Sequence, residues 1–212
     1  MKESPAPVND QNNAPAPPTN EWSNPTPAGL VALAVACFCY FASLSGLADA
    51  SSMKLHGSWL IGGFLVQFIV ALVDLKSKKY AGGNTFLFFS AFFMLTGGIR
   101  MFVKHNAVIA GVLLDTHIDG YPWIVLTLAL ILWTPVFCKP FNLLSLVVLT
   151  LDVALPFITL LYLGLIPASI SIIPSIFLLA SGLIAIYLSA AMVVNTTFGR
   201  KVYPILEISK RK

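Results

Sequence analysis

Residues that could carry out covalent chemistry are few in this chain, and none stands in a catalytic pattern. The sequence has no HExxH zinc-protease motif, no GxSxG nucleophile motif and no glycine-rich phosphate loop. Asp152 is the one acid in its apolar segment, so it has no second carboxylate beside it for acid-base catalysis. These features predict a protein that is not an enzyme and needs no cofactor.

Cysteines and histidines do not form a metal-binding pattern either. Cys37 and Cys39 would point about 200° apart on one helix, and Cys138 stands alone. No histidine has a partner at the i, i+4 spacing that metal ligands use on a helix. We therefore expect no metal site, and we expect the cysteines to serve as packing residues. The three histidines, His56, His105 and His117, are expected to lie in solvated outer loops.

Two polar side chains stand inside otherwise apolar segments. Gln67 can offer two amide donors to a carboxylate without a charge that would trap it, or it can bond a neighbouring helix for about 0.6 to 2 kcal/mol. A charged Asp152 would cost about 2.5 to 3.5 kcal/mol at mid-membrane. Asp152 is thus expected either to couple protons to transport or to pack at an interface between protomers.

The stretch SNPTPAGL at 23–30 predicts a sharply defined helix start. Pro25 and Pro27 suit the first turn of a helix, and Asn24 lies where its side chain can cap free N–H groups. The stretch GGNTF at 82–86 places Asn84 and Thr85 at a second such start, just after a lysine cluster. Two helix N-termini beside lysines predict either a vestibule for carboxylates or ordinary capping next to basic loops.

Composition assigns these helices to a membrane. Hydrophobic residues make up 57% of the chain and charged residues 10%, whereas soluble domains carry about 25% charged residues. The mean hydropathy is +0.83. A net charge of +4 in such a chain reflects loops beside a bilayer and does not indicate a nucleic-acid partner. The proline-rich residues 1–23 predict a disordered cytoplasmic tail without the features of a signal peptide.

Six segments are long enough to cross a bilayer, which takes about 17 to 25 residues. The uncharged stretch at 153–199 is too long for one helix, and PASISIIPS at 167–175 supplies prolines and serines for a turn. The predicted spans are 28–47, 57–73, 80–99, 120–138, 141–166 and about 176–194. The fold class is thus an all-α integral membrane protein with a six-helix transport domain at 24–199 and a basic tail at 200–212.

Basic residues predict the orientation of these spans. With a cytoplasmic N-terminus, ten of the thirteen Lys and Arg residues fall on the cytoplasmic side, and the outer side holds Lys54, Arg100 and Lys104. Both termini are therefore expected to be cytoplasmic.

Several stretches resemble one known family in the same order along the chain. NPTPAGL at 24–30 resembles the NPAPLGL motif of the acetate uptake transporters, the succinate-acetate permeases. GGFLVQFIVALVD at 62–74 resembles the second helix of that family, and GNTF at 83–86 resembles the start of its third. AIYLSAAMVVNTTFGRKVYPI at 185–205 resembles its last helix and tail, where Tyr187 and Asn195 are expected to cap or line the cytoplasmic end.

This resemblance implies a multi-pass protein of the inner or plasma membrane. It implies a homohexamer with one path in each protomer for acetate or similar short carboxylates, succinate among them, either coupled to protons or channel-like. The residues it assigns to the substrate are Asn24, Pro25, Gly29, Gln67, Asn84, Thr85 and Thr150. Its hydrophobic constriction of Phe, Tyr and Leu is altered here to Leu33, Met94 or Leu95, and Leu149.

Two other functions stay open on the sequence alone. A hydrophobic constriction with few charges also suits a pore for small neutral solutes such as urea or ammonia. A structural membrane protein without transport is the second alternative, and it would have no continuous polar route past Gln67.

Overall fold

Six membrane-spanning segments are built from seven α-helices in the part of the chain that the computed structural model describes, residues 22–205 and 207–208. The helices are α1 (Thr26–Leu44), α2 (Met53–Lys76), α3 (Tyr80–Phe88), α4 (Thr96–Ala110), α5 (Gly120–Phe137), α6 (Leu143–Tyr162) and α7 (Ile172–Phe198). A π-helical segment, Phe89–Leu95, joins α3 to α4 in one long span. Short 3-10 turns precede α2, α5 and α7, at Ala50–Ser52, His117–Asp119 and Ala168–Ser171.

The predicted six-span architecture is confirmed, since all six segments are long and apolar enough to cross a membrane. Their bounds differ from the predicted ones. The third span continues beyond Ile99 to Ala110, because Arg100 and Lys104 form ion pairs within the protein and need no loop. The last helix begins at Ile172, before the predicted start near 176, with Pro174 in its first turn. The predicted disorder of residues 1–21 lies outside the described residues.

Alternating helix directions give the bundle two ends. The Asn24 end holds the starts of α1, α3 and α6, and the Asp119 end holds the starts of α2, α5 and α7. Around the bundle, α5 packs on α6, α6 on α7, α7 on α1, α1 on α2, and α2 on both α3 and α4. Large apolar side chains cover the outside, where a bilayer would surround them; Leu132 of α5, for example, is 73% exposed.

Helices α2 and α4 approach each other through glycines. A Cβ added to Gly98 would lie 2.8 Å from the carbonyl oxygen of Gly57 and 2.7 Å from Cγ1 of Ile61. A Cβ on Gly57 would lie 2.8 Å from the carbonyl oxygen of Gly98. Small residues at such crossings let helix backbones come close, as is common in membrane proteins.

Aromatic rings form a continuous stack through the middle of the bundle. The π-helical segment supplies Phe89 and Phe93, whose ring centroids lie 5.8 Å apart. Phe93 stacks on Tyr40 of α1 at 5.0 Å and meets the edge of Trp123 of α5 at 5.6 Å. Trp123 stacks in turn on Tyr162, the last residue of α6, at 6.0 Å.

A short tail segment returns to the bundle after α7. Gly199 adopts the left-handed conformation, with φ of +61°, and turns the chain. The side-chain oxygen of Asn195 accepts hydrogen bonds from the backbone N–H groups of Val202 and Tyr203, and its amide nitrogen donates to the carbonyl of Tyr203. Tyr187 donates to the carbonyl of Pro204. Asn195 and Tyr187 therefore hold the tail against α7.

This tail continues to the start of α6. The strand β1 (Phe141–Asn142) pairs antiparallel with β2 (Glu207–Ile208), so that Phe141 lies opposite Ile208. Asn142 also caps α6, because its side chain accepts from the N–H groups of Leu144 and Ser145. The helix start of α6 and the tail are thus tied to one point at the Asn24 end.

The histidine prediction is wrong for two of its three residues. His56 is buried in α2, where Nδ1 lies 3.0 Å from the Ser43 hydroxyl, and His105 lies within α4. Both were assigned to loops because the predicted spans stopped short of them. His117 does lie between spans, where its ring bonds Asp115 at 2.8 Å. Among the described residues, no three of His, Cys, Asp or Glu could jointly hold a metal ion.

Candidate functional site

A cavity of about 490 Å³ reaches into the bundle from the Asn24 end. Lys79 and Lys139 lie at its mouth, and Leu33 and Gln67 lie inside. Seven residues of α1 separate Thr26 at the mouth from Leu33, which corresponds to a depth of about 10 Å at 1.5 Å per residue. Helices α1, α2, α3, α5 and α6 all contribute to its walls, so the cavity lies between helices of one protomer.

Four polar side chains form a network at the mouth. The Asn24 Oδ1 accepts from Lys79 Nζ at 2.6 Å and from the hydroxyl of Thr26 at 2.7 Å. Lys79 also pairs with Asp74 at 3.1 Å, and the Thr26 hydroxyl lies 3.3 Å from the other Asp74 oxygen. Asp74 is 1% exposed whereas Lys79 is 44% exposed. The buried Asp74 carboxylate therefore holds the ammonium group of Lys79 at the mouth of the cavity.

The predicted capping residue Asn24 takes part in this network and also bonds the Thr26 N–H at 3.3 Å. Lys79 belongs to the lysine cluster beside which the sequence predicted a vestibule, whereas Thr26 and Asp74 were not assigned to it. Asp74 directly follows the predicted second span and stands five residues before Lys79, which is one residue beyond the i, i+4 spacing that indicates an ion pair on a helix.

Two side chains that line the cavity each carry a buried polar atom without a hydrogen-bond partner within the described chain. One is Oε1 of Gln67, whose amide nitrogen donates to the carbonyl of Gly29 at 3.3 Å. The other is the hydroxyl of Thr85. Both side chains line the cavity. A buried polar group without a partner costs about 1 to 3 kcal/mol, so a polar ligand or water that reached either atom would be stabilised there.

Apolar side chains form the remaining inner wall. On α6 they recur at one helical face, through Leu144, Val147, Val148 and Leu151. Leu149 points away from this face and is 36% exposed on the bundle surface. Of the three predicted constriction residues, the structure places Leu33 in the cavity. Met94 is fully buried next to Gly63, and neither it nor Leu149 lines the cavity.

The other predicted substrate residues lie beside the cavity or away from it. Gly29 lets Phe86 approach α1, since a Cβ there would lie 2.9 Å from the ring. The Pro25 carbonyl accepts from the N–H of Ala28 in the first turn of α1. Helix α3 begins at Tyr80, where the predicted third span begins, so Asn84 lies in its second turn and not at the helix start expected from GGNTF; it is exposed and donates to the carbonyl of Tyr80. Thr150 bonds carbonyls of its own helix.

Asp152 lies in the middle of α6, half-buried and outside the cavity lining. The hydroxyl of Thr134 on α5 lies 2.6 Å from its Oδ2 and donates to it. Its Oδ1 has no partner among the described residues. The carboxylate is thus held against α5 with one oxygen unbonded.

A second polar cluster occupies the Asp119 end. Arg100 donates to Asp119 at 2.8 Å and to the hydroxyl of Tyr162 at 2.7 Å, and its guanidinium lies 4.4 Å from the Tyr162 ring centroid. Lys104 pairs with the same Asp119 oxygen at 3.2 Å. Nearby, the backbone N–H and ring of His117 bond Asp115 and lower the pKa of that carboxyl.

Sequence reasoning placed Arg100 in a loop and gave it no role. The structure shows an arginine 13% exposed at the end of the aromatic stack. One signal could have indicated Arg100: it is a basic residue directly after a 20-residue apolar run. A helix continues past such a residue when an acid on the next segment pairs with it.

Comparison with known proteins shows which solved structure has the same fold. No model of a known protein family matches the chain, and no curated protein matches its sequence. Among solved structures, the bacterial acetate channel SatP matches with a TM-score of 0.75 and 21% sequence identity. The match covers 87% of this chain and 99% of that one. The chain thus has the six-helix fold of a solved channel over nearly all of its described length.

Proposed function

We propose that this chain is a permease or channel for acetate and similar short-chain carboxylates, with one path in each protomer of a homohexamer in the inner or plasma membrane. The cavity carries this proposal. It offers a cationic mouth, two unpartnered polar atoms and apolar walls within one protomer. The fold shared with an acetate channel supports it, as do the motifs that resemble the acetate uptake transporters.

Each part of a short carboxylate finds a matching surface along the cavity. Lys79 and Lys139 at the mouth attract the anion, since exposed charges concentrate a counter-ion at a cleft. Asp74 fixes Lys79 and offsets its charge, so that the mouth does not hold an anion permanently. The leucines and valines of α1 and α6 accept the methyl group.

The two interior atoms favour the protonated acid over the ion. A carboxylate has acceptor oxygens alone, whereas a carboxylic acid has one donor and acceptor oxygens. Gln67 Oε1 is an acceptor and the Thr85 hydroxyl can donate, so the lining side chains provide both an acceptor and a donor to a carboxyl group that carries its proton. A neutral acid also avoids the cost of an unpaired charge between apolar walls. Proton-linked uptake is therefore part of the proposal.

Uptake into proteoliposomes tests the function. Labelled acetate and labelled urea are supplied with and without an inward proton gradient, and protein-free liposomes correct for acetic acid that crosses lipid unaided. We expect protein-dependent acetate uptake that the gradient stimulates. Acetate uptake no faster than in protein-free liposomes would overturn the proposal.

A pore for small neutral solutes is the second candidate. The observation that favours it is the interior of the cavity, whose polar atoms on Gln67 and Thr85 carry no charge. Protein-dependent urea uptake without acetate uptake would establish this alternative.

A further inference from the structure

The two lysines at the mouth of the cavity are held in different ways. Lys79 is fixed by its bonds to Asp74 and Asn24. Lys139 lies in the short connection between α5 and α6, and among the described residues it makes no salt bridge. The position of its ammonium group therefore depends on the backbone that carries it.

The connection between α5 and α6 forms one rim of the cavity, which it lines at three positions, Lys139, Pro140 and Asn142. The Ser145 hydroxyl accepts from the N–H of Asn142 at 3.0 Å and donates to the carbonyl of Phe137 at 2.7 Å. These bonds hold the two ends of the connection. Lys139 lies between them, so its position needs a further support.

The C-terminal tail reaches the same rim from α7. Three hydrogen bonds of 2.7 to 2.8 Å join the Asn195 side chain to the backbone of Val202 and Tyr203. Tyr187 donates to the carbonyl of Pro204 at 2.8 Å. All four bonds are made to backbone atoms of the tail, so α7 fixes the course of the tail directly.

Beyond these bonds the tail packs on the bundle and pairs with the rim. Ile205 packs against the apolar core. The strand β2 then pairs with β1, which begins two residues after Lys139. Two strands of two residues are not stable as an isolated pair. The pairing of β2 with β1 therefore depends on the anchoring of the tail at α7.

We propose that Asn195 is a positioning residue for substrate binding. It fixes the tail, the tail holds β1, and β1 keeps Lys139 at the cavity mouth, where the lysine charge contributes to the affinity for the carboxylate. Asn195 does not itself line the cavity, so it acts through Lys139. The proposal rests on the function proposed above and gives the C-terminal tail a part in it.

Release of the rim should weaken binding and leave the rest of the path as it is. An exposed charge acts on an anion over about 8 to 10 Å at physiological salt. A lysine that spends time away from the mouth therefore concentrates the anion less. The inner lining at Gln67 and Thr85 is separate from the tail bonds, so the maximal rate of uptake should not change.

The substitution Asn195→Ala tests this link, because it removes all three bonds to the tail. In proteoliposomes we expect the acetate concentration for half-maximal uptake to rise about threefold, as for the loss of one exposed charge interaction. Lys139→Met should give the same rise. Combining the two substitutions should add nothing further, because both act through the same charge. A purely structural role predicts a lower maximal rate and effects that add.

Asn106→Ala is the matched control, since this asparagine is exposed on α4, far along the chain from the tail. It should leave half-maximal uptake unchanged. Tyr187→Phe is a milder second variant that removes one tail bond, and we expect a rise of about twofold that disappears in the Lys139→Met background. Additive effects with Lys139→Met, or an unchanged half-maximal concentration in Asn195→Ala, would overturn the proposal.

Failure of the proposed function is distinguishable from failure of this proposal. A spin label on Lys139→Cys, in a chain whose own three cysteines are replaced by serine, reports the motion of the rim without any transport. We expect the label to become more mobile when Asn195→Ala is added and to stay the same with Asn106→Ala. An unchanged label contradicts the positioning role, even where wild type transports acetate. A mobilised label in a chain that transports no acetate supports the positioning and removes the proposed function.

Discussion

The hydroxyl of Thr85 is the residue-scale feature that most directly links the cavity to a ligand. It lines the cavity and has no partner within the described chain. The substitution Thr85→Val keeps the shape of the side chain and removes the hydroxyl. We expect it to lower acetate uptake at low acetate concentration about five- to tenfold, because one hydrogen bond contributes about 1 to 1.5 kcal/mol. The stability of the protein should not fall, because no internal bond is lost.

Thr197→Val is the matched control for this variant. Thr197 also lies on a helix, but its hydroxyl bonds its own helix at an exposed position in the last turn of α7. Uptake measured for both variants in the same proteoliposome preparation separates a specific effect from a general one. Equal uptake by Thr85→Val and wild type would remove Thr85 from the substrate path.

Asp152 is a second single residue whose role can be tested, and it lies outside the cavity. Its carboxylate lies outside the cavity lining and is bonded by Thr134. We therefore expect Asp152→Asn, which keeps an acceptor for that hydroxyl, to change acetate uptake by no more than about twofold between about pH 5 and pH 7, as for substitutions outside a site. Asp152→Leu should instead reduce oligomer size in mild detergent, if α6 meets another protomer there.

Uptake across that pH range, measured beside oligomer size, checks the Asp152 prediction. Loss of acid stimulation in the Asn variant would contradict it and assign proton coupling to this carboxyl, the alternative that the sequence left open.

Part of the cavity lining could be predicted from the sequence at this scale. Gln67, Thr85 and Leu33 were predicted and do line the cavity. Leu149 was assigned to the constriction through the resemblance alone, and the helical period of α6 turns it to the surface. Arg100 was missed, because its ion pair with Asp119 joins two different helical segments and follows no helical spacing in the sequence.

At the scale of helices, the glycine contact between α2 and α4 supports a stability prediction. A methyl group on Gly98 would lie 2.8 Å from the Gly57 carbonyl oxygen and 2.7 Å from Ile61. We expect Gly98→Ala to destabilise the protein by about 1 to 3 kcal/mol, as overpacking does, and to lower its melting midpoint in detergent.

Gly62→Ala is the control for Gly98→Ala, since nothing lies within 4 Å of a Cβ at that position of α2. Alanine favours a helix over glycine by up to about 1 kcal/mol, so the control should be neutral or more stable. Equal melting midpoints for Gly98→Ala and wild type would show that the helices can separate without cost.

The existence of the helices was predictable and their ends were not. Twenty apolar residues in lipid must form a helix, because no other open structure satisfies the backbone in lipid. The end of such a helix depends on neighbours. The third span continues past Arg100 because Asp119 on the next segment pairs with it, and its π-helical turn packs aromatic rings against α1 and α5.

For the whole molecule, the charges at the two ends support an orientation. Within residues 22–205, the Asn24 end holds Asp74 as its one acid and six basic residues, Lys76, Lys78, Lys79, Lys139, Arg200 and Lys201. At the Asp119 end three basic residues face three acids, Asp49, Asp115 and Asp119. By the positive-inside rule the Asn24 end is expected to face the cytoplasm.

Surface labelling checks this orientation. We expect Pro5→Cys, in a chain whose own three cysteines are replaced by serine, to resist a membrane-impermeant maleimide in intact cells and to react after permeabilisation. A cysteine at Val112, which is 55% exposed beyond α4, should react in intact cells. Reaction at position 5 without permeabilisation would reverse the orientation.

The glycine contact described above also makes α2 and α4 depend on each other. Their backbones approach at Gly57 and Gly98 with no side chain between them, so neither helix can move closer to the other there. Helices α5 and α6 each contain a proline, Pro135 and Pro156, at which the backbone hydrogen-bond ladder is interrupted. Bending of the bundle would therefore cost less in α5 and α6 than at the α2–α4 contact.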